Sequence, residues 1–251
     1  MWYDIAGMKY ALIADIHANL AAFTAVLEDI ERRGGVDELW CLGDIVGYGP
    51  DPVRCIELLR QHKHICVAGN HDLAAAGKLP LKEFNPDAAI ACRWTAQQLS
   101  EADKEYLGNL PKVIERDDFT LAHGSPREPI WEYLVSAGSA RENFGYFKTK
   151  FCLVGHSHMP LIFRQAEDGG CSFGVLKGGI GQVLGKSRMI INPGGVGQPR
   201  DGDPRASYAI YDSEPSVIRL YRVAYDINDT QVRMTKHNLP MRLVVRLEQG
   251  V

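Results

Sequence analysis

Seven metal-competent side chains stand at or just after the ends of apolar runs in this sequence. They are Asp15, His17, Asp44, Asn70, His123, His156 and His158. The set holds two carboxylates, one amide and four imidazoles, and no thiolate. Carboxylate, carbonyl oxygen and neutral imidazole suit Mn, Fe, Zn, Ni or Co. Seven donors exceed what one tetrahedral zinc takes, and fit two octahedral-type ions that share a carboxylate. Two divalent ions roughly 3.5–4 Å apart clamp an in-line displacement at phosphorus.

The elements that must position these groups are legible from the hydrophobic pattern. Lys9 to Ala14 reads as a strand running into Asp15-Ile16-His17. Asn19 then caps a helix with Leu20, Phe23, Val26, Leu27 and Ile30 on one face, stopped by Gly34-Gly35. Glu38 to Leu42 is a second strand and ends in Gly43-Asp44. Pro52 opens a second helix, with Val53, Ile56 and Leu59 inward. His64 to Ala68 is a third strand, ending in Gly69-Asn70-His71-Asp72. This β-α-β-α-β order implies a parallel sheet with right-handed crossovers. Strand ends then share one edge, so Asp15, His17, Asp44, Asn70 and His71 are expected to converge there.

Downstream, Pro86-Asp87 begins a helical segment with Ile90, Trp94 and Leu99, and Ser100 with Asp103 resembles a capping box. Lys112 to Arg116 and Phe119 to Ala122 read as paired strands delivering His123-Gly124. Ile130 to Phe147 reads as short helices over the site. Phe151 to Val154 is a buried strand ending in Gly155-His156-Ser157-His158. A hairpin spans Leu161 to Leu176. Met189 to Ile191 is a strand that enters the loop Gly194 to Gly202, read as a turn at the site's edge. Ser207 to Tyr211 and Ser216 to Tyr225 are further strands. A helix from Asn228 to His237 precedes an apolar tail, Leu243-Val244-Val245. The whole is read as one domain over 1–251, an α/β to α+β arrangement of two mixed sheets packed face to face with helices outside. Residues 1–7 are read as an amino-terminal extension.

Asp15-Ile16-His17, Gly43-Asp44, Gly69-Asn70-His71-Asp72, His123 and Gly155-His156-Ser157-His158 resemble, in order, the five motifs of the calcineurin-like metallophosphoesterases. The likeness runs from about residue 9 to about 212. It implies a four-layer αββα sandwich and a dinuclear centre. One ion would take Asp15, His17 and His158, the other Asn70, His123 and His156, and Asp44 would bridge. The implied nucleophile is a hydroxide held between the ions. His71 would not be a ligand; it would stabilise the transition state or protonate the leaving oxygen. The protein phosphatases of this superfamily carry Gly-Asp-x-Val-Asp-Arg-Gly. Here the stretch is Gly43-Asp44-Ile45-Val46-Gly47-Tyr48-Gly49, without the Asp that partners the catalytic His and without the phosphate-clamping Arg. The chain looks more like the small prokaryotic phosphoesterases of the diadenosine-tetraphosphatase type. The expected activity is hydrolysis of a phosphomonoester or phosphodiester, with a nucleotide-type ester among the candidates. The alternatives are a non-catalytic scaffold, a protein phosphatase or a nuclease of the same superfamily.

Arg200 is a candidate to replace the missing clamp, since a guanidinium matches phosphate geometry, and Arg205 is a weaker one. Asp72 either orients His71 or caps the following helix, and the cap is preferred. Tyr48 either lines the pocket or packs. His62, His64 and His237 are read as non-catalytic. The net charge of −3 argues against an extended nucleic-acid groove. No apolar run approaches the roughly 20 residues of a membrane-spanning helix. Six scattered cysteines without a CxxC pair suit a reducing, cytoplasmic compartment.

Overall fold

The computed structural model describes residues 7–251, so residues 1–6 of the expected extension lie outside the described residues. Strand β1 (Lys9–Ile13) sits between β2 (Glu38–Cys41), which runs parallel to it, and β11 (Ala206–Asp212), which runs antiparallel. The first sheet is completed by β3 (His64–Cys66), β12 (Val217–Val223) and β9 (Gly181–Val183), in the order β3-β2-β1-β11-β12-β9. The second sheet comprises β4 (Val113–Arg116), β5 (Phe119–Ala122), β6 (Phe151–Leu153), β7 (Pro160–Gln165), β8 (Cys171–Val175) and β10 (Met189–Pro193). Its order is β4-β5-β6-β10-β7-β8.

The period of two in a strand decides the layers. In β1, Tyr10 and Leu12 point between the sheets, where they join Trp40, Phe119, Leu121, Leu153 and Ile191. Ala11 and Ile13 point the other way, onto helix α1 (Leu20–Arg32) and helix α2 (Pro52–Arg60), against Phe23, Val26, Ile30 and Ile56. Both faces are covered, which is why these strands read as continuous apolar runs rather than alternating ones. On the far side of the second sheet, Cys152, Leu161, Phe163 and Ile190 pack on Leu134, Ala140, Phe144 and Phe147. The result is helix, sheet, sheet, helix, as expected.

Local signals held where they had a mechanism. The Asn19 side chain accepts from Ala22 N–H at 3.1 Å and caps α1. Ser100 and Asp103 form the capping box of α5 (Glu101–Gly108), after α3 (Asn70–Ala75) and α4 (Pro86–Gln98). Five differences stand out. The third strand stops at Cys66, and Asn70 and His71 lie in the first turn of α3. Helix α4 buries Ala88, Ala91, Cys92 and Thr95, while Ile90 is 44% exposed, so its inward face is the small-residue one. The 130–147 segment holds one helix, α6 (Ala137–Asn143), which packs on the outer face of the second sheet and not over the site. Strand β9 was not anticipated: it is short and mostly exposed, so it carries no hydrophobic pattern. After α7 (Ile227–Lys236), the apolar tail is helix α8 (Met241–Gln249). Leu243, Val244 and Leu247 share one face of it, against Ala88, Ala91 and Tyr48.

Candidate metal centre

The carboxyl ends of β1, β2, β5 and β6 meet at one place, and the loops leaving β1 and β2 are zipped together there. Asp15 N–H donates to Gly43 O at 3.1 Å, and His17 N–H donates to Asp44 O at 2.9 Å. Asp15, His17, Asp44, His156 and His158 all hold left-handed backbone, with φ between 48° and 62°. Such residues cost on the order of 1–3 kcal/mol each and persist where the surroundings over-determine them. Asp72 supplies part of that determination. Its carboxylate accepts from Asp44 N–H at 2.8 Å, Val46 N–H at 3.1 Å and Gly69 N–H at 3.1 Å. It caps α3 from inside the first turn and pins the Asp44 loop, its two oxygens accepting from these backbone N–H groups and not from the His71 ring.

The seven predicted side chains converge. Potential ligand atoms of Asp15, His17 and His158 lie within 4.8 Å of one another, as do those of Asp44, His123 and His156. Asp44 Oδ2 stands between the groups, 3.6 Å from His17 Nε2 and 3.3 Å from His123 Nε2. Asn70 Oδ1 is 3.1 Å from His123 Nε2. His71 also comes within 4.8 Å of His17 and Asp44.

Each imidazole of the seven turns one nitrogen to a backbone carbonyl. His17 Nδ1 faces Val46 O at 3.2 Å, His123 Nδ1 faces Leu42 O at 2.8 Å, and His158 Nδ1 faces Gln198 O at 2.5 Å. His156 uses Nε2, 3.2 Å from Trp131 O. A carbonyl only accepts, so that nitrogen carries a proton, and in a neutral ring the other nitrogen presents its lone pair inward. Burial pushes the pKa values of His17, His156 and His158 well down, which keeps them neutral. His17 Nε2 and His158 Nε2 therefore face each other 3.1 Å apart with no proton to share. Beside them, Asp15 Oδ2 is buried without a hydrogen-bond partner. A cation among these lone pairs satisfies all three atoms, so the donor set fits a divalent ion.

Charge balance distinguishes the remaining groups. Burial raises Asp15 to about 7 despite His123. Burial also opposes ionisation of Asp44, but the surrounding imidazoles, His123 first, hold it well below the usual carboxylate range. Burial would lower His123, yet Asp44 lifts it to about 9. Without an ion, His123 is the cation that balances Asp44.

The cavity over this cluster has a volume of about 150 Å³. Its walls include Asp44, Asn70, His71, His156 and His158, with Tyr48, Phe84, Trp131, Tyr133 and Arg200. Tyr48 both lines the cavity and packs on α8. Arg200 Nη2 donates to Gln198 Oε1 at 3.0 Å, while its Nε is buried without a partner. Arg205 is tied to Asp203 in solvent. His64 Nε2 lies 3.0 Å from the Tyr106 hydroxyl, and His237 lies over Trp94, so both are away from the cluster. A larger cleft of about 610 Å³ adjoins through Asn85 and is lined by none of the seven.

Sequence reasoning missed several supports. Asn192 Nδ2 donates to Gly155 O at 2.6 Å and Ser157 Oγ at 3.0 Å, bracing the His156–His158 turn. Gln198 holds His158 through its carbonyl and Arg200 through its side chain. Cys92 Sγ lies 3.1 Å from His71 Nδ1. Trp131 and Tyr133, in the segment expected over the site, do line the cavity, but from a loop and not from helices. Asn192 alone had a signal, as a polar residue interrupting a buried apolar run.

The family profile of the calcineurin-like phosphoesterase superfamily domain matches residues 8–216. A metallophosphoesterase from Sphaerobacter thermophilus superposes with a TM-score of 0.89 at 47% identity, over 98% of this chain and 100% of that one. An uncharacterized protein of Methanocaldococcus jannaschii is 40% identical over 245 residues, covering 96% of this chain and 97% of that protein. A symmetrical bis(5'-nucleosyl)-tetraphosphatase of Haemophilus ducreyi is 27% identical over 140 residues, which is 54% of this chain and 51% of that enzyme. By motif order, fold and these matches, the chain belongs to the calcineurin-like phosphoesterase superfamily and is a metal-dependent phosphoester hydrolase.

Proposed function

We propose that Asp15, His17 and His158 hold one divalent ion, that Asn70, His123 and His156 hold a second, and that Asp44 is shared between them. The observation that carries this assignment is the pair of inward lone pairs on His17 and His158 beside the unpartnered Asp15 Oδ2. The chemistry such ions supply is polarisation of the phosphoryl group and production of a nucleophile from water near neutral pH. The protein's own part is positional. His71 presents its ring to the phosphoryl or leaving oxygen, and Arg200 turns its guanidinium to the anionic part of the substrate.

The substrate is a small phosphorylated molecule. The aromatic walls Tyr48, Phe84, Trp131 and Tyr133 support a nucleotide-type ester or anhydride, since flat rings stack well on such walls. The matching region of the Haemophilus ducreyi tetraphosphatase points the same way. An acidic net charge gives no support to a nuclease groove. Manganese is the ion to try first, because an oxygen- and imidazole-rich site accepts it. Six free cysteines support a cytoplasmic setting. Among the described residues no helix is long and apolar enough to cross a membrane.

The test is hydrolysis of bis(p-nitrophenyl) phosphate and of p-nitrophenyl phosphate by chelator-stripped protein, with and without Mn²⁺. The expected result is manganese-dependent turnover of at least one of them. A protein that has taken up two ions and turns over neither would instead be a scaffold. Arg200→Ala is expected to raise KM with metal content unchanged; an unaltered KM would remove Arg200 from substrate binding.

A further inference from the structure

The His71 ring has one hydrogen-bond partner among the described residues: the thiol of Cys92, with Sγ 3.1 Å from Nδ1. Both residues are closed off, His71 being 2% exposed and Cys92 1%. Cys92 comes from α4, on the face that also buries Ala88, Ala91 and Thr95. Gly47 also crowds the ring: a Cβ there would stand 2.4 Å from Nδ1, and only glycine, here at φ +91°, leaves the ring its place. Both neighbours thus hold the ring at Nδ1, which leaves Nε2 as the nitrogen available to the cavity that His71 lines.

The direction of this hydrogen bond follows from what each atom does well. A thiol sulfur is a weak acceptor, whereas an imidazole lone pair is a good one. The opposite arrangement, Nδ1–H to sulfur, would spend the ring's proton on that weak acceptor. With the thiol donating, the proton of the neutral ring lies on Nε2.

We infer that Cys92 is the positioning residue of His71. Its S–H donates to Nδ1, fixes the ring's rotation, and leaves Nε2–H as a donor presented to the substrate's phosphoryl or leaving oxygen. The inference rests on the assignment of His71 to the hydrolytic cavity.

The experiment compares zinc-loaded parent, Cys92→Ala, Cys92→Ser, His71→Ala and the His71→Ala/Cys92→Ala double variant on p-nitrophenyl esters. Outer groups that orient a working side chain are typically worth roughly 10–100-fold in activity. Cys92→Ala is thus expected to lower kcat by about that factor, with KM and zinc content unchanged. Cys92→Ser keeps an O–H donor and is expected to restore most of the rate. In the His71→Ala background the second substitution is expected to cost nothing more, since the residues act as one unit. Additive losses, or a serine variant as slow as the alanine one, would overturn the inference. The tautomer is read without turnover from long-range ¹H–¹⁵N correlation spectra of the zinc-loaded parent. Protonated Nε2 on His71 supports the inference, and protonated Nδ1 overturns it. A parent that hydrolyses nothing yet shows the Nε2–H tautomer would count against the hydrolytic assignment alone.

Discussion

Gly69→Ala isolates the part played by Asp44. Gly69 precedes α3 with φ −97° and ψ 169°, a conformation alanine adopts freely, so the substitution acts by contact and not by backbone strain. A Cβ there would stand 2.0 Å from Asp44 Oδ1, 2.4 Å from Asp44 N and 2.7 Å from Asp44 Cγ. Ordinary contact begins near 3.4 Å, so the carboxylate must retreat by about 1.4 Å (3.4 − 2.0) or the α3 turn must lift. Either movement breaks the 2.9 Å bond from His71 N–H to Asp44 Oδ1. Ligand distances at a metal tolerate roughly 0.2 Å, and a misplacement of about 1 Å in a reacting assembly costs on the order of 10²-fold. Overpacking adds roughly 1–3 kcal/mol of destabilisation, which in a chain of this size lowers Tm by roughly 2–12 °C. The assay is metal content by mass spectrometry, manganese-dependent kcat, and thermal unfolding. Gly174→Ala is the control, because nothing lies within 4 Å of a Cβ added there. Gly69→Ala is expected to lose about 10²-fold or more in kcat and part of its metal, while Gly174→Ala matches the parent. Full metal content and full rate in Gly69→Ala would refute the placement of Asp44 as the shared group.

Asp44→Asn should lower occupancy of both ions, because Asp44 Oδ2 faces His17 on one side and His123 on the other; retention of two ions per chain would rule out sharing. His71→Ala should lower kcat by roughly 10²–10⁴-fold with metal content intact, and equal rates in variant and parent would remove it from the chemistry. Metal uptake should release protons, since ligands bind deprotonated while His123 is held up at about 9 and Asp15 at about 7. Apparent affinity should accordingly rise with pH through about 7 to 9 and level off above; calorimetry in buffers of different ionisation enthalpy reads the proton count, and a pH-independent affinity would contradict it.

The groups proposed to hold the ions were legible because each stands at or just after the end of an apolar run. Asp15, Asp44 and Asn70 follow strands of one sheet, whose parallel order predicts that their ends share an edge; His123 and His156 follow strands of the second sheet, and only the motif resemblance joined them to the site. What held these groups was not legible. Gln198 and Trp131 act through backbone carbonyls, which any residue type offers. Cys92 reaches His71 only because α4 turns its small-residue face inward, and Ile90 and Trp94 pointed the pattern elsewhere. Helix α8 was hidden for a similar reason. Leu243-Val244-Val245 is too short a run to declare a period, and its docking on Tyr48 depends on tertiary contact. Asp72 read as a cap, which it is, but its second job of tying down the Asp44 and Val46 N–H groups spans 28 and 26 residues and leaves no local trace.

Anomalous difference maps from manganese-soaked crystals test the dinuclear assignment most directly. Two peaks should appear, roughly 3.5–4 Å apart. One should be bounded by Asp15, His17 and His158 and the other by Asn70, His123 and His156, with Asp44 touching both. A single peak, or peaks away from these seven residues, would contradict the two-ion centre.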